Sequence, residues 1–133
     1  MEDSILLEIL KEMQKKYQFM SEIERITHDV GQFLSRNDQT SVQMLLGMRQ
    51  DEMDKADIVN KNIKCIISVL PPEDAFKVED WIKGQENWNS DGQISEKIIE
   101  KGKSIQQILK RTIEIDRSIS TRIAGTHSFY SQS

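Results

Sequence analysis

Apolar residues recur along the first quarter of the chain at mixed gaps of three and four: Leu6, Ile9, Leu10, Met13, Tyr17, Met20, Ile23, Ile26, Val30, Phe33 and Leu34. That spacing places them on one face of an α-helix, with Glu8, Lys11, Glu12, Lys15, Glu22 and Arg25 on the opposite face. It predicts a helix from Asp3 to Arg36, a rod of about 50 Å, with Asp3 or Ser4 as its cap. Ser35-Arg36-Asn37-Asp38 breaks the pattern with residues whose side chains bond the local backbone in turns. Thr40-Ser41-Val42-Gln43 then has the spacing of a capping box, with Asp38 as a rival cap.

A second stripe follows over 40–69: Val42, Leu45, Leu46, Met53, Ala56, Val59 or Asn60, Ile63, Ile66, Ile67 and Leu70. Pro71-Pro72 ends this helix by removing backbone donors. Ala75, Phe76, Val78, Trp81 and Ile82 give an apolar side to a short helix over 73–83, which Gly84 stops. The stretch from Gly84 to Gly92 is polar and turn-rich, a loop with Trp88 as its apolar residue. From Ser95 or slightly earlier to Ile123, a seam runs through Ile98, Gly102, Ile105, Leu109, Thr112, Asp116, Ile119 and Ile123. Ile94, Ile99, Ile108, Ile113 and Ile115 widen it beyond what one neighbour needs. The excess implies a protein client, self-association or further burial within the chain.

These elements predict an all-α fold: an antiparallel helical bundle of three long helices plus one short helix closing an end. Residues 1–124 form one domain, and 125–133, without any period, form a flexible tail. Gly31, Gly47 and Gly102 lie inside helices, where each costs about 1 kcal/mol relative to alanine. Close helix approach or a kink would account for them.

Composition narrows the function. Charged residues make up 30% and hydrophobic ones 37%, with only two prolines, a balance that suits elongated helices. The net charge of −4, with bases and acids interspersed, argues against nucleic acid. Cys65, the single cysteine, has no partner for a disulfide and is expected to be a small buried apolar residue. Met1-Glu2-Asp3-Ser4 lacks the charge and apolar run of a secretory signal, and no stretch reaches membrane-span length, so the expected location is cytoplasmic, without membrane insertion.

Candidate chemistry is sparse. His28 stands four residues after Glu24, without the repeated Glu-x-x-His spacing of di-iron bundles, and is expected at the surface. No spacing suggests a zinc site or a phosphate-binding loop, so neither cofactor nor metal nor catalytic residue is expected. Two charges on apolar seams carry more information. Arg49 and Asp116 either reach past the seam's edge into water or pair with each other and fix helix register. The run Lys110-Arg111-Thr112-Ile113-Glu114-Ile115-Asp116-Arg117 resembles one in all-helical chorismate mutases. It lies at the wrong end of the chain, and no convergent set of basic residues accompanies it.

The segment Phe33-Leu34-Ser35-Arg36-Asn37-Asp38 leads into Val42, Leu45-Leu46, Arg49-Gln50 and Met53-Asp54. This hairpin turn, followed by a Leu-Leu pair and an Arg-Gln, resembles the FlgN/FliT-type flagellar export chaperones over residues 33–54. Pro71-Pro72, the short helix and the Trp88 loop depart from the simplest pattern of that group. The resemblance implies a cytoplasmic, non-catalytic chaperone. It would bind a helical segment of a hook-associated or filament-cap subunit and keep it unassembled for export. It also implies that the client meets the C-terminal helix, which by position points to Ile105, Ile108, Leu109, Thr112, Ile115, Ile119 and Ile123. The alternative is a self-associating helical adaptor or regulatory protein-interaction module without catalytic activity, for which a homodimer is one arrangement.

Overall fold

The chain forms four helices, α1 (Asp3–Ser35), α2 (Gln39–Ser68), α3 (Pro72–Ile82) and α4 (Gln93–Ile123), in a computed structural model that describes residues 1–123. This is the all-α arrangement of three long helices and one short helix that the periodicity predicts. The tail expected over 125–133 lies outside the described residues, as does the side chain of Ile123. Among the described residues, no helix is long and apolar enough to cross a membrane.

The α1–α2 turn explains why the hairpin forms where it does. Asn37 adopts a left-handed φ of 58°, a conformation asparagine tolerates better than most residues. The Asp38 amide then donates to the Phe33 carbonyl at 3.0 Å and the Asn37 amide to Leu34 at 3.1 Å, closing the end of α1. Asp38 also caps α2, its carboxylate accepting from the Ser41 amide at 3.1 Å and hydroxyl at 2.7 Å. Those bonds hold its carboxyl below the usual aspartate range. The capping box expected at Thr40 does not form, because the helix already begins at Gln39. Nor does Asp3 or Ser4 cap α1; Glu2 occupies that position without a side-chain bond.

Side-chain pairs fix the helix directions. Glu12 meets Asn62, Phe19 lies under Lys55 and Thr27 bonds Arg49, so α2 runs antiparallel to α1. Lys101 lies 4.3 Å over the Tyr17 ring and Arg111 bonds Glu24, so α4 runs parallel to α1. Helix α1 packs along its length against both α2 and α4, whereas α2 and α4 scarcely meet backbone to backbone. It is therefore the central rod, with a long helix on each flank.

The core divides into two parts. The larger gathers Leu6, Ile9, Met13, Ile63, Trp81 and Ile98 around the α3 end. The smaller, Ile26, Val30, Val42 and Leu45, lies inside the hairpin end. Trp81 is fully buried, and its indole N–H donates to the Trp88 carbonyl at 3.0 Å, anchoring a loop whose own tryptophan stays half-exposed. Asp80 tightens the same loop by accepting from the Asn87 amide at 3.0 Å and side chain at 2.8 Å. Gly102 lets α4 touch the end of α3: a Cβ there would meet the Ile82 carbonyl oxygen and stand 2.7 Å from the Gly84 nitrogen. Gly47 faces open space, so close approach does not account for it. Cys65 is exposed, contrary to the expectation of burial, because it falls on the side of α2 away from α1.

Candidate functional site: an open groove between α2 and α4

Because α2 and α4 stand apart, α1 forms the floor of a groove between them. Its two ends are fixed by observed contacts. At one end Arg49 Nη1 of α2 donates to Asp116 Oδ1 of α4 at 2.9 Å and to Thr27 Oγ1 of α1 at 3.2 Å. The pairing alternative for Arg49 and Asp116 is thus the one the fold adopts. At the other end, residues of all four helices surround a cavity of about 620 Å³, including Asn60 and Lys64 of α2 and Gln106 of α4.

Helical spacing fills in the walls between these ends. Arg49, Met53, Asn60 and Lys64 follow one another at gaps of four, seven and four on α2. On α4, Gln106, Leu109, Ile113 and Asp116 follow at gaps of three, four and three. Each set is one stripe, so Met53 shares the face of α2, and Leu109 and Ile113 the face of α4, that carry the Arg49–Asp116 pair at one end and the cavity at the other. They remain 43%, 38% and 46% exposed, high values for large apolar residues beside a core. On the floor, Met20 lies between Lys16 and Thr27 and is half-buried.

The cavity at the α3 end combines an apolar base with a basic rim. Met13, Ile63, Ile67 and Ile105 form the base; Lys16, Lys64 and Lys83 converge on the rim beside Glu79. Burial pushes the Lys16 amine below the usual lysine range. Among the described residues, no ion pair engages any of these three lysines. A convergent basic set was not expected from the sequence, yet the fold assembles one. It excludes the 110–117 run: Arg111 faces the far side of α4, where it binds Glu24 through two bonds of 2.7 and 3.1 Å.

The partner contacts implied for α4 divide sharply. Ile105, Ile108 and Ile119 are at most 4% exposed, packed inside the chain. Thr112 is buried too, its hydroxyl donating to the Ile108 carbonyl at 2.8 Å. Burying an isoleucine internally contributes about 1.5–3 kcal/mol, so these side chains are committed to the bundle. Ile115 is half-buried beside Arg111 on the opposite side of α4 from the groove, and among the set's described side chains Leu109 alone is exposed on the groove-facing stripe.

Sequence reasoning missed Thr27, Lys16, Lys64 and Lys83. A signal existed for two of them. Thr27 follows Ile23 by four, and Lys16 stands between Met13 and Met20, both polar interruptions of the α1 stripe like Arg49 in α2. His28 is exposed as expected, and among the described residues no group of histidine, cysteine and acidic side chains could hold a metal ion. Set against known proteins, the chain matches no family model, no curated protein and no solved structure.

Proposed function

We propose that the chain binds an amphipathic helix of a protein client in the groove between α2 and α4, as a cytoplasmic export chaperone of the FlgN/FliT type. The observation that carries the reading is the line of half-exposed Met53, Leu109 and Ile113 along an open groove. An added helix laying its apolar face there would turn three long helices into four around a shared core. Flexible methionines at such a surface adapt to more than one side-chain shape. A client segment held this way would be kept from its own assembly contacts. The flagellar identity of the client rests on the resemblance over residues 33–54.

The test is co-purification of the tagged chain with hook-associated and filament-cap subunits expressed alongside it. One subunit is expected to be retained by the natural chain and lost from Leu109→Asp and Ile113→Asp, with circular dichroism unchanged. Both substitutions fall on exposed positions, so helix content provides a fair control. Retention by both variants would sink the groove as the binding site.

A second reading has an observation of its own. Met44, Ile58 and Val69 are 62%, 58% and 79% exposed, and their gaps are close to whole numbers of helical turns. They stand on the side of α2 and its C-cap away from the groove, separate exposed apolar side chains that a second copy could cover. Light scattering decides: this reading requires a dimer that Ile58→Asp converts to a monomer, and a monomeric natural chain removes it.

A further inference from the structure

The two ends of the groove differ in charge, and that difference bears on which way round a bound helix lies. At the α3 end, Lys16, Lys64 and Lys83 converge over an apolar base, with Glu79 the one acid among the described residues lining the same cavity. The opposite end closes on the internally paired Arg49 and Asp116, which present no comparable excess of charge. Among the described residues the half-buried Lys16 amine has no acid within ion-pair distance, an unfavourable arrangement that an incoming carboxylate would relieve.

The backbone ends add a second constraint. Ser68, the last residue of α2, and Lys83, the C-cap of α3, both line the cavity. Two helices therefore bring the negative ends of their dipoles to this place. A third helix is placed better here by its positive N-terminal end than by its C-terminal end. Acidic residues are also favoured in the first turn of a helix by its own dipole. Against three lysine charges, Glu79 and the two helix ends at roughly half a charge each leave a positive balance, so the same carboxylates can support the bound helix and meet the lysines.

Building on the helix-binding reading above, we infer that the α3 end of the groove receives the acidic first turn of the bound helix, with Lys16, Lys64 and Lys83 holding its carboxylates. The bound helix then runs parallel to α1 and α4 and antiparallel to α2. Its apolar face lies over Ile63, Ile67 and Ile105 at that end and over Met53, Leu109 and Ile113 further along.

The experiment uses fluorescein-labelled synthetic amphipathic peptides of about five turns. All share one apolar face. One carries a glutamate pair in its first turn, one carries that pair in its last turn, and one carries lysines in its first turn. Fluorescence anisotropy is read against the full chain and against Lys64→Glu/Lys83→Glu, both exposed positions where charge reversal leaves the core intact. The first-turn glutamate peptide is expected to bind about tenfold tighter than either of the others, an advantage that salt erodes. In the double variant the preference should invert toward the first-turn lysine peptide. Equal affinities, tighter binding of the last-turn glutamate peptide, or a preference that survives charge reversal would each overturn the inference while leaving the groove as a helix site. Absence of binding by all three peptides would overturn the groove reading and this inference with it.

Discussion

Thr27 occupies a fully buried position, and its hydroxyl has two tasks there: it donates to the Ile23 carbonyl at 2.7 Å and accepts from Arg49 at 3.2 Å. Arg49 in turn reaches Asp116, so three side chains tie the three long helices together at one level. The Arg49 side chain is only 18% exposed, which makes the loss of its anion costly. Asp116→Ala should destabilise the fold by about 1–3 kcal/mol in urea denaturation, because a largely buried guanidinium loses its charged acceptor. Replacing both charges, as Arg49→Met/Asp116→Leu, should recover most of that loss. An Asp116→Ala chain of undiminished stability would show the pair to be incidental. The charges themselves were legible in the sequence, since each interrupts an apolar seam. Thr27 interrupts the α1 stripe in the same way, but its partner was not legible, because a threonine on a stripe can satisfy its own hydroxyl within the helix and leaves no charge to balance.

At the scale of elements, periodicity located every helix to within about two residues, which is the usual latitude for helix ends. Caps were harder. Asp38 prevails over Thr40 because the left-handed Asn37 ends α1 so tightly that Asp38 already stands at the entrance to α2. That geometry depends on one dihedral angle, and hydrophobic spacing carries no information about it. The glycines show the same limit. Gly47 and Gly102 read alike in sequence, yet one faces open space and the other faces the end of α3. Gly47→Ala should raise stability by about 1 kcal/mol through helix propensity alone. Gly102→Ala should lower it by about 1–3 kcal/mol, since backbone atoms must move to admit the methyl group. Thermal melts of the two variants are expected to shift in opposite directions; shifts of the same sign would contradict the tight α3–α4 approach.

Across the whole molecule, a stripe of apolar residues says which face of a helix is covered but not at what angle its neighbours stand. The width of the α4 stripe is visible in the sequence and implies a partner surface. Most of that width is used internally by Ile105, Ile108 and Ile119. The open region arises from the separation of α2 and α4 across α1, a property of three helices jointly that no single stripe encodes. The basic rim was hidden for the same reason, since Lys16, Lys64 and Lys83 come from three elements distant in sequence. The anchoring of the Trp88 loop by Trp81 has an optical consequence. Both indoles of the chain stand at the α3 end, one sealed from water and one half in it. Intrinsic emission is therefore a local gauge: the Trp81 component lies to the blue and moves to the red when α3 lifts from α4, while fraying at the Asn37 turn leaves the spectrum unchanged. Fluorescence and circular dichroism thus watch different parts of the same bundle, and any gap between their unfolding curves measures how far its two ends come apart independently.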